Sequence, residues 1–195
     1  MTSNTKQPVV SLFTGAMGLD LGFQAAGMET RVALDNYKYS MATVQANRPH
    51  LPFLKEDIRR VPTEKILETA GLSPGKVTVV IAATPCQPFS TIGKRLGFMD
   101  ERGLLIDEFV RVVREAQPQY WCLENVRGLK WTAREHSPFY ARHAMKRSNV
   151  PLDQRPGSAY HDLMNVLAST GYEISSYVLD AADYGVPQHR KRLIM

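Results

Sequence analysis

The run Val77-Thr-Val-Val-Ile-Ala-Ala83 is short, apolar and rich in β-branched residues, the composition of a parallel strand buried on both faces. Such a strand needs neighbours on either side and helices over both faces, so it constrains the fold more than any other stretch. It hands the chain directly to Thr84-Pro85-Cys86-Gln87-Pro88-Phe89-Ser90. Pro85 and Pro88 fix their own φ angles and restrict the residues before them, which holds Cys86 on a stiff turn. Two readings of that thiol are open at this point. It is a small buried hydrophobe, as free cysteine often is, or a nucleophile at the carboxyl end of a central strand, where open α/β sheets place their ligands.

The rest of the chain repeats the alternation. Pro8 to Thr14 is strand-like and runs into Gly15-Ala16-Met17-Gly18-Leu19-Asp20-Leu21-Gly22. The pattern predicts a strand, a glycine turn and a helix with apolar residues at Leu19, Leu21, Phe23 and Ala26. That is the opening of a nucleotide-binding βαβ unit, or merely a helix entry that needs positive φ. Arg31 to Leu34 forms the next strand, and Asp35 lies 20 residues past Gly15, the position of an acid that binds ribose hydroxyls. Tyr37 to Asn47 reads as a helix, Leu51 to Leu54 as a short third strand. Asp57 beyond it either accepts from an adenine amino group or caps a helix. Thr63 to Ala70 is a helix closed by Gly71 and Pro74.

Past the cysteine, residues 91–103 are polar and without period, the mark of a functional lid or a plain loop. Lys94, Arg95 and Arg102 there either meet phosphates or are balanced by Asp100 and Glu101. Leu105, Phe109, Val112, Val113 and Ala116 recur at helical spacing and read as core. Gln119 to Leu123 is a strand leading to Glu124-Asn125-Val126; Cys122 within it reads as packing, and Glu124 is either set beside Cys86 by an adjacent parallel strand or an ion-paired structural residue. Residues 132–158 carry Arg134, Arg142, Lys146, Arg147 and Arg155 against Glu135 and Asp153, either a nucleic-acid contact or a surface excursion. Tyr160, Leu163, Met164 and Leu167 form another amphipathic helix, ended by Gly171. Glu173 to Leu179 is a sixth strand, and a seventh begins at Leu193 after Gln188-His-Arg190-Lys-Arg192.

Strands alternating with helices throughout predict an α/β fold, a mostly parallel open sheet with helices on both faces. The 195 residues suit one domain. No apolar run approaches a membrane span, and Met1 to Lys6 lack an apolar signal core, so a cytoplasmic location is expected. The two cysteines have no C-x-x-C pairing, which points to neither a disulfide framework nor a metal site. The net charge of +5 suits a polyanionic partner.

A cysteine and a glutamate at neighbouring strand tips, below a nucleotide-binding half, fit one demanding reaction. Carbon 5 of cytosine is too poor a nucleophile to attack an activated methyl donor. Thiolate addition at carbon 6 turns the ring into an enamine-like nucleophile, and a hydrogen bond or proton to ring nitrogen 3 lets the developing charge settle. Cys86 supplies the first and Glu124 the second. Arg190 and Arg192 are candidates to hold the pyrimidine oxygen and favour thiolate, since a nearby cation lowers a thiol pKa.

In these residues the chain resembles the DNA (cytosine-5) methyltransferases. Ser11 to Gly18 resembles their motif I, Asp35 and Asp57 the acids of motifs II and III, and Pro85-Cys86-Gln87 the nucleophile motif IV. Glu124-Asn125-Val126 is similar to motif VI and Gln188-x-Arg190-x-Arg192 to motif VIII. The resemblance implies a Rossmann-like fold and S-adenosylmethionine held by Phe13, Gly15, Gly18, Leu19, Asp35, Asp57, Ile58 and Pro85. It implies catalysis by Cys86, Glu124, Arg190 and Arg192, with Gln87, Ser90, Asn125, Val126 and Gln188 on the substrate. Double-stranded DNA is the implied partner, with the base flipped out of the stack under the loop 91–102. Met17 departs from a family glycine, Asp35 from a longer Glu, and Asn36 from a frequent aromatic. The family's target-recognition region and motifs IX and X do not occur in the sequence, so DNA recognition is expected to need a C-terminal half or a second subunit. RNA cytosine methylation and a non-catalytic regulatory role are the alternatives.

Overall fold

The computed structural model describes residues 6–85, 105–133 and 150–195. These fall in two compact units, one within Met1–Thr84 and Glu108–Glu124, the other within Pro85–Asp107 and Asn125–Met195.

In the first unit the strands are β1 (Gln7–Leu12), β2 (Met28–Leu34), β3 (Phe53–Leu54), β4 (Val79–Ala83) and β5 (Tyr120–Val126). They lie in the order β3-β2-β1-β4-β5 and every pairing is parallel. Helices α1 (Gly18–Ala25), α2 (Lys38–Asn47), α3 (Thr63–Ala70) and α4 (Leu105–Ala116) connect them. The mostly parallel α/β architecture expected from the sequence is therefore the one observed. Val9, Val10, Val80, Ala82 and Leu123 are fully buried, and each large aliphatic side chain so enclosed contributes about 1.5–3 kcal/mol.

Strand β1 is flanked by β2 on one side and β4 on the other, so the connections leave it in opposite directions. Ligands bind at such a switch point, outside the carboxyl ends of the strands. Leu12 pairs with Ala82 there, so the segments after β1 and after β4 emerge side by side.

Element boundaries moved where tertiary pairing overrides local pattern. Strand β2 begins at Met28 and not at Arg31, because Gln7, Pro8 and Val9 of β1 pair with Met28, Glu29 and Thr30. Strand β5 runs on through Glu124 and Asn125, which lie inside a strand and not beyond one.

The second unit holds α5 (Ser158–Ala168), β6 (Tyr177–Asp180) and β7 (Lys191–Ile194). The last two pair antiparallel, with Leu179 opposite Arg192. Residues 173–176, expected in the sixth strand, are outside it. Helix α5 is fixed to the 3-10 turn Arg127–Trp131 and the residues after it: the Ala159 amide donates to the Thr132 carbonyl at 3.1 Å.

Candidate active site

The loop leaving β1 alternates its handedness. Phe13, Gly15 and Met17 have φ of 52°, 55° and 65°, all left-handed. Glycine adopts that region freely, but a side chain there costs roughly 1–2 kcal/mol. Phe13 and Met17 persist because the surroundings over-determine them. The Thr14 amide donates to the Leu34 carbonyl at 3.2 Å and the Met17 amide to the Thr14 carbonyl at 3.0 Å. Asp35, at the carboxyl end of β2, closes the same loop. Its Oδ2 accepts from the Gly15 amide at 2.8 Å and its Oδ1 from the Tyr37 amide at 2.8 Å. A Cβ added at Gly15 or Gly18 would meet nothing within 4 Å, so the space beside this loop is open. Leu19 turns its side chain toward the core formed by Val9, Val79 and Ile81.

Asp57 and Ile58 stand at the segment after β3. The Asp57 carboxylate caps the Arg59 amide at 3.0 Å and takes the Arg59 guanidinium at 2.6 Å. Those contacts hold its pKa below the usual carboxylate value, with the Arg59 hydrogen bond the largest cause. Ile58 is buried, and its carbonyl accepts from Arg111 of α4 at 3.1 Å. Arg111 also donates to the Val61 carbonyl and the Thr63 hydroxyl, and its Nε reaches Glu108 at 2.8 Å. One planar guanidinium thus anchors the 58–63 segment, a role the fork geometry of arginine suits.

Strands β4 and β5 pair with Ala83 opposite Glu124. Glu124 therefore stands beside the end of the strand that runs into buried Thr84 and half-buried Pro85. Cys86, Gln87 and Ser90 lie outside the described residues, as do the loop 91–102 and Arg134, Arg142, Lys146 and Arg147. Cys122, two residues before Glu124, packs against the β-sheet core. Burial and the neighbouring Glu124 charge push its thiol up to about 11, so it stays protonated at neutral pH.

In the second unit, Asn125 is buried and its Oδ1 accepts from the Val126 amide at 2.8 Å. Gln188 and Arg190 are exposed just before β7, and Arg192 lies in it. This segment is gathered by Asp180, a residue the sequence reading passed over. Its Oδ1 accepts from the amides of Arg190 at 2.8 Å and Ala182 at 3.3 Å, and its Oδ2 faces the His189 ring at 3.1 Å. Withdrawal from water pushes the Asp180 pKa up, but the His189, Ala182 and Arg190 hydrogen bonds outweigh that and hold it below the ordinary range. The signal was an Asp two residues before the turn amide it caps, the local pattern of an Asx turn.

A second omission is Asp20. It is 2% exposed, and its carboxylate accepts from Ser11 at 3.0 Å and from Thr30 at 2.9 Å. Burial pushes its pKa up, partly offset by the Thr30 and Ser11 hydrogen bonds, its own amide and the Arg48 charge. An open cavity of about 700 Å³ touches Thr30 and Arg48, but it lies at the amino ends of β1 to β3, the wrong end for the loops just described.

The residues at the carboxyl ends of β1, β2 and β3 suit an adenosine-bearing cofactor: a loop with open space beside Gly15 and Gly18, then two carboxylates in succession. Comparison with known proteins agrees with that chemistry. The family model for C-5 cytosine-specific DNA methylases matches residues 8–195. The type II methyltransferase M.AquIA of Picosynechococcus is 38% identical over 191 residues, covering 97% of this chain and 71% of that protein. M.SacI of Streptomyces achromogenes is 36% identical, covering 98% of this chain and 48% of that protein. Among solved structures, a DNA modification methyltransferase of an Escherichia coli prophage superposes with a TM-score of 0.68 at 25% identity, over 97% of this chain and 45% of that one. The chain thus spans 71% of one relative and about half of the others, and it belongs to the C-5 cytosine-specific DNA methylase family.

Proposed function

We propose that this chain methylates carbon 5 of cytosine in DNA through a covalent Cys86 adduct, acting together with a C-terminal half or second subunit that carries target recognition. The single observation that carries the reading is the parallel pairing of Ala83 with Glu124, which puts a carboxyl group next to the strand leading to Cys86. Family membership supports the reaction class.

S-adenosylmethionine supplies the electrophilic methyl group. Its adenosine portion is assigned to Asp35 and Asp57 and its methionine portion to the Phe13–Leu19 loop, with Ile58 and Pro85 beside the ring. Asp35 has lone pairs left over after binding the Gly15 and Tyr37 amides, which is what a ribose hydroxyl requires. In the reaction, the Cys86 thiolate forms a bond to carbon 6 while Glu124 hydrogen-bonds or protonates ring nitrogen 3. The electron pair displaced onto carbon 5 takes the methyl group. Loss of the carbon-5 proton to a base then expels the thiolate by β-elimination and restores the aromatic ring. By the resemblance, Arg190 and Arg192 would hold the pyrimidine oxygen, and Gln87, Ser90, Asn125, Val126 and Gln188 are assigned to the substrate. The thiolate is assigned to Cys86 on its Pro85-Cys86-Gln87 motif, and burial with the Glu124 charge makes Cys122 the poorer thiolate.

The test is trapping on duplex DNA with 5-fluorocytosine at the target position, where the carbon-5 substituent cannot leave as a proton. With S-adenosylmethionine and a matched C-terminal partner, a covalent adduct is expected. Cys86→Ser should abolish it and Cys122→Ser should leave it intact. Absence of adduct with the partner present would overturn the reading.

A further inference from the structure

Helix α1 buries the residue a hydrophobicity rule would expose. Leu21 is 52% exposed, whereas Asp20 is 2% exposed and faces the sheet with Leu19 and Phe23. Enclosing a carboxylate costs several kcal/mol before its contacts are counted. A leucine at this position would pack without that penalty, so the carboxyl group has to be explained by what it bonds.

Those bonds run in one direction. A carboxylate only accepts, so Thr30 and Ser11 must both donate to Asp20. The Ser11 hydroxyl has a single proton, and with that proton committed it can only accept from Thr14, whose Oγ1 lies 2.9 Å away. That leaves Thr14 as the donor of the pair, and Ser11 Oγ is the nearest acceptor of its proton, ahead of the Ser11 carbonyl at 3.2 Å and the Leu34 carbonyl at 3.5 Å. The Ser11 and Thr30 protons are directed at Asp20 and the Thr14 proton at Ser11. The same chain crosses from the middle of β1 to β2 and ends inside the left-handed loop. Apolar packing is non-directional and would let α1 rotate or slide. A charged acceptor between two strands does not.

We propose that Asp20 is a positioning residue for the cofactor loop, its carboxylate fixing the direction of the Thr14–Ser11 hydrogen bond and through it the backbone of residues 13–17. The proposal rests on the reading of that loop as the S-adenosylmethionine site, and the experiment separates the two. The probe is S-adenosylhomocysteine, titrated calorimetrically into the full chain.

Binding to the unaltered chain tests the cofactor reading; if there is none, that reading falls and this one with it. Given binding, Asp20→Asn should weaken it about tenfold with no fall in the thermal midpoint. The amide keeps the size, but one of its two polar atoms is now an NH2 that donates, to Ser11 or to Thr30, so the side chain no longer accepts from both and no longer fixes the direction of the Ser11–Thr14 bond. Thr14→Val should weaken binding similarly, and Thr14→Ser, which keeps the hydroxyl, should restore it to within about twofold. This pair decides the matter if Asp20→Asn does not fold. Binding unchanged in Asp20→Asn, or Thr14→Ser binding as weakly as Thr14→Val, would overturn the proposal. So would a loss of binding that merely tracks a loss of stability.

Discussion

Two carboxylates organise two loop segments of this chain, the one after β1 and the one before β7, and they do it under opposite electrostatics. Asp20 is enclosed between α1 and the parallel sheet, its partners are neutral hydroxyls, and its pKa is pushed up. Asp180 lies beneath the exposed side chains of His189 and Lys191, its partners are two backbone amides and an imidazole, and its pKa is pushed down. An imidazole N–H and backbone amides lower the carboxylate's pKa at Asp180, whereas for Asp20 burial outweighs the hydroxyl hydrogen bonds. The first arrangement fixes the direction of a hydrogen-bond chain at the expense of stability. The second simply gathers a surface segment. On the proposed function both are used, one to hold the cofactor loop before binding and the other to hold the arginine segment in shape.

The sharpest way to break the comparison is to remove the surface carboxylate. Asp180→Ala frees the Arg190 and Ala182 amides and the His189 ring together; on the proposed role of Arg190, misplacing it by about 1 Å is expected to slow catalysis about a hundredfold. With the C-terminal partner supplied, methyl transfer to DNA should fall by that order while S-adenosylhomocysteine affinity holds. Equal losses in both would mean that the two carboxylates act as one system.

Titration separates them by sign. Asp180 has a depressed folded pKa, so its stabilisation is present above the ordinary value of 3.8 and is lost as pH falls through the lower folded value. Asp20 is the reverse. The folded chain holds its proton more tightly than the unfolded chain, so stability falls as pH rises from 3.8 through the raised folded value. Charged neighbours are Arg48 for Asp20 and His189 with Lys191 for Asp180. Unfolding midpoints of Asp20→Asn relative to the parent should therefore climb as pH rises above 3.8, and those of Asp180→Asn should drop over the range just below it. Two difference curves of the same slope would contradict the assignment.

The sheet was legible from sequence because its strands are short β-branched runs between glycine-ended helices, a pattern set by burial. Thr63–Ala70 and Leu105–Ala116 came out with the limits their apolar spacing implies. The acids at the strand ends were legible for a related reason: Asp35, Asp57 and Glu124 each follow such a run. What spacing did not reveal is what a side chain does once it is inside. Leu21 was noted only as one of the apolar residues of its helix and Asp20 was passed over, because hydrophobicity along a helix cannot see Ser11 and Thr30 waiting on the sheet. Arg111 and Asp180 were missed likewise. Their partners are backbone carbonyls and amides, which carry no residue code.

Met17 offers the finest probe of the cofactor end, with effects near 1 kcal/mol. It stands where the family has glycine, keeps φ at 65°, and is nonetheless only 5% exposed. Two terms oppose each other. Replacing it with glycine releases about 1 kcal/mol of left-handed strain and gives up about 1.5–3 kcal/mol of buried side chain. The net effect of Met17→Gly is a destabilisation of about 1 kcal/mol. Met17→Ala loses most of the side chain and keeps the strain, so it should be the less stable of the two by about 1 kcal/mol. That ordering reverses the usual preference for alanine over glycine at a helix edge, and urea unfolding of the pair resolves it. If alanine proves the more stable, the left-handed backbone at residue 17 is relaxed by the substitution, and the loop is held by Asp20 and Asp35 alone.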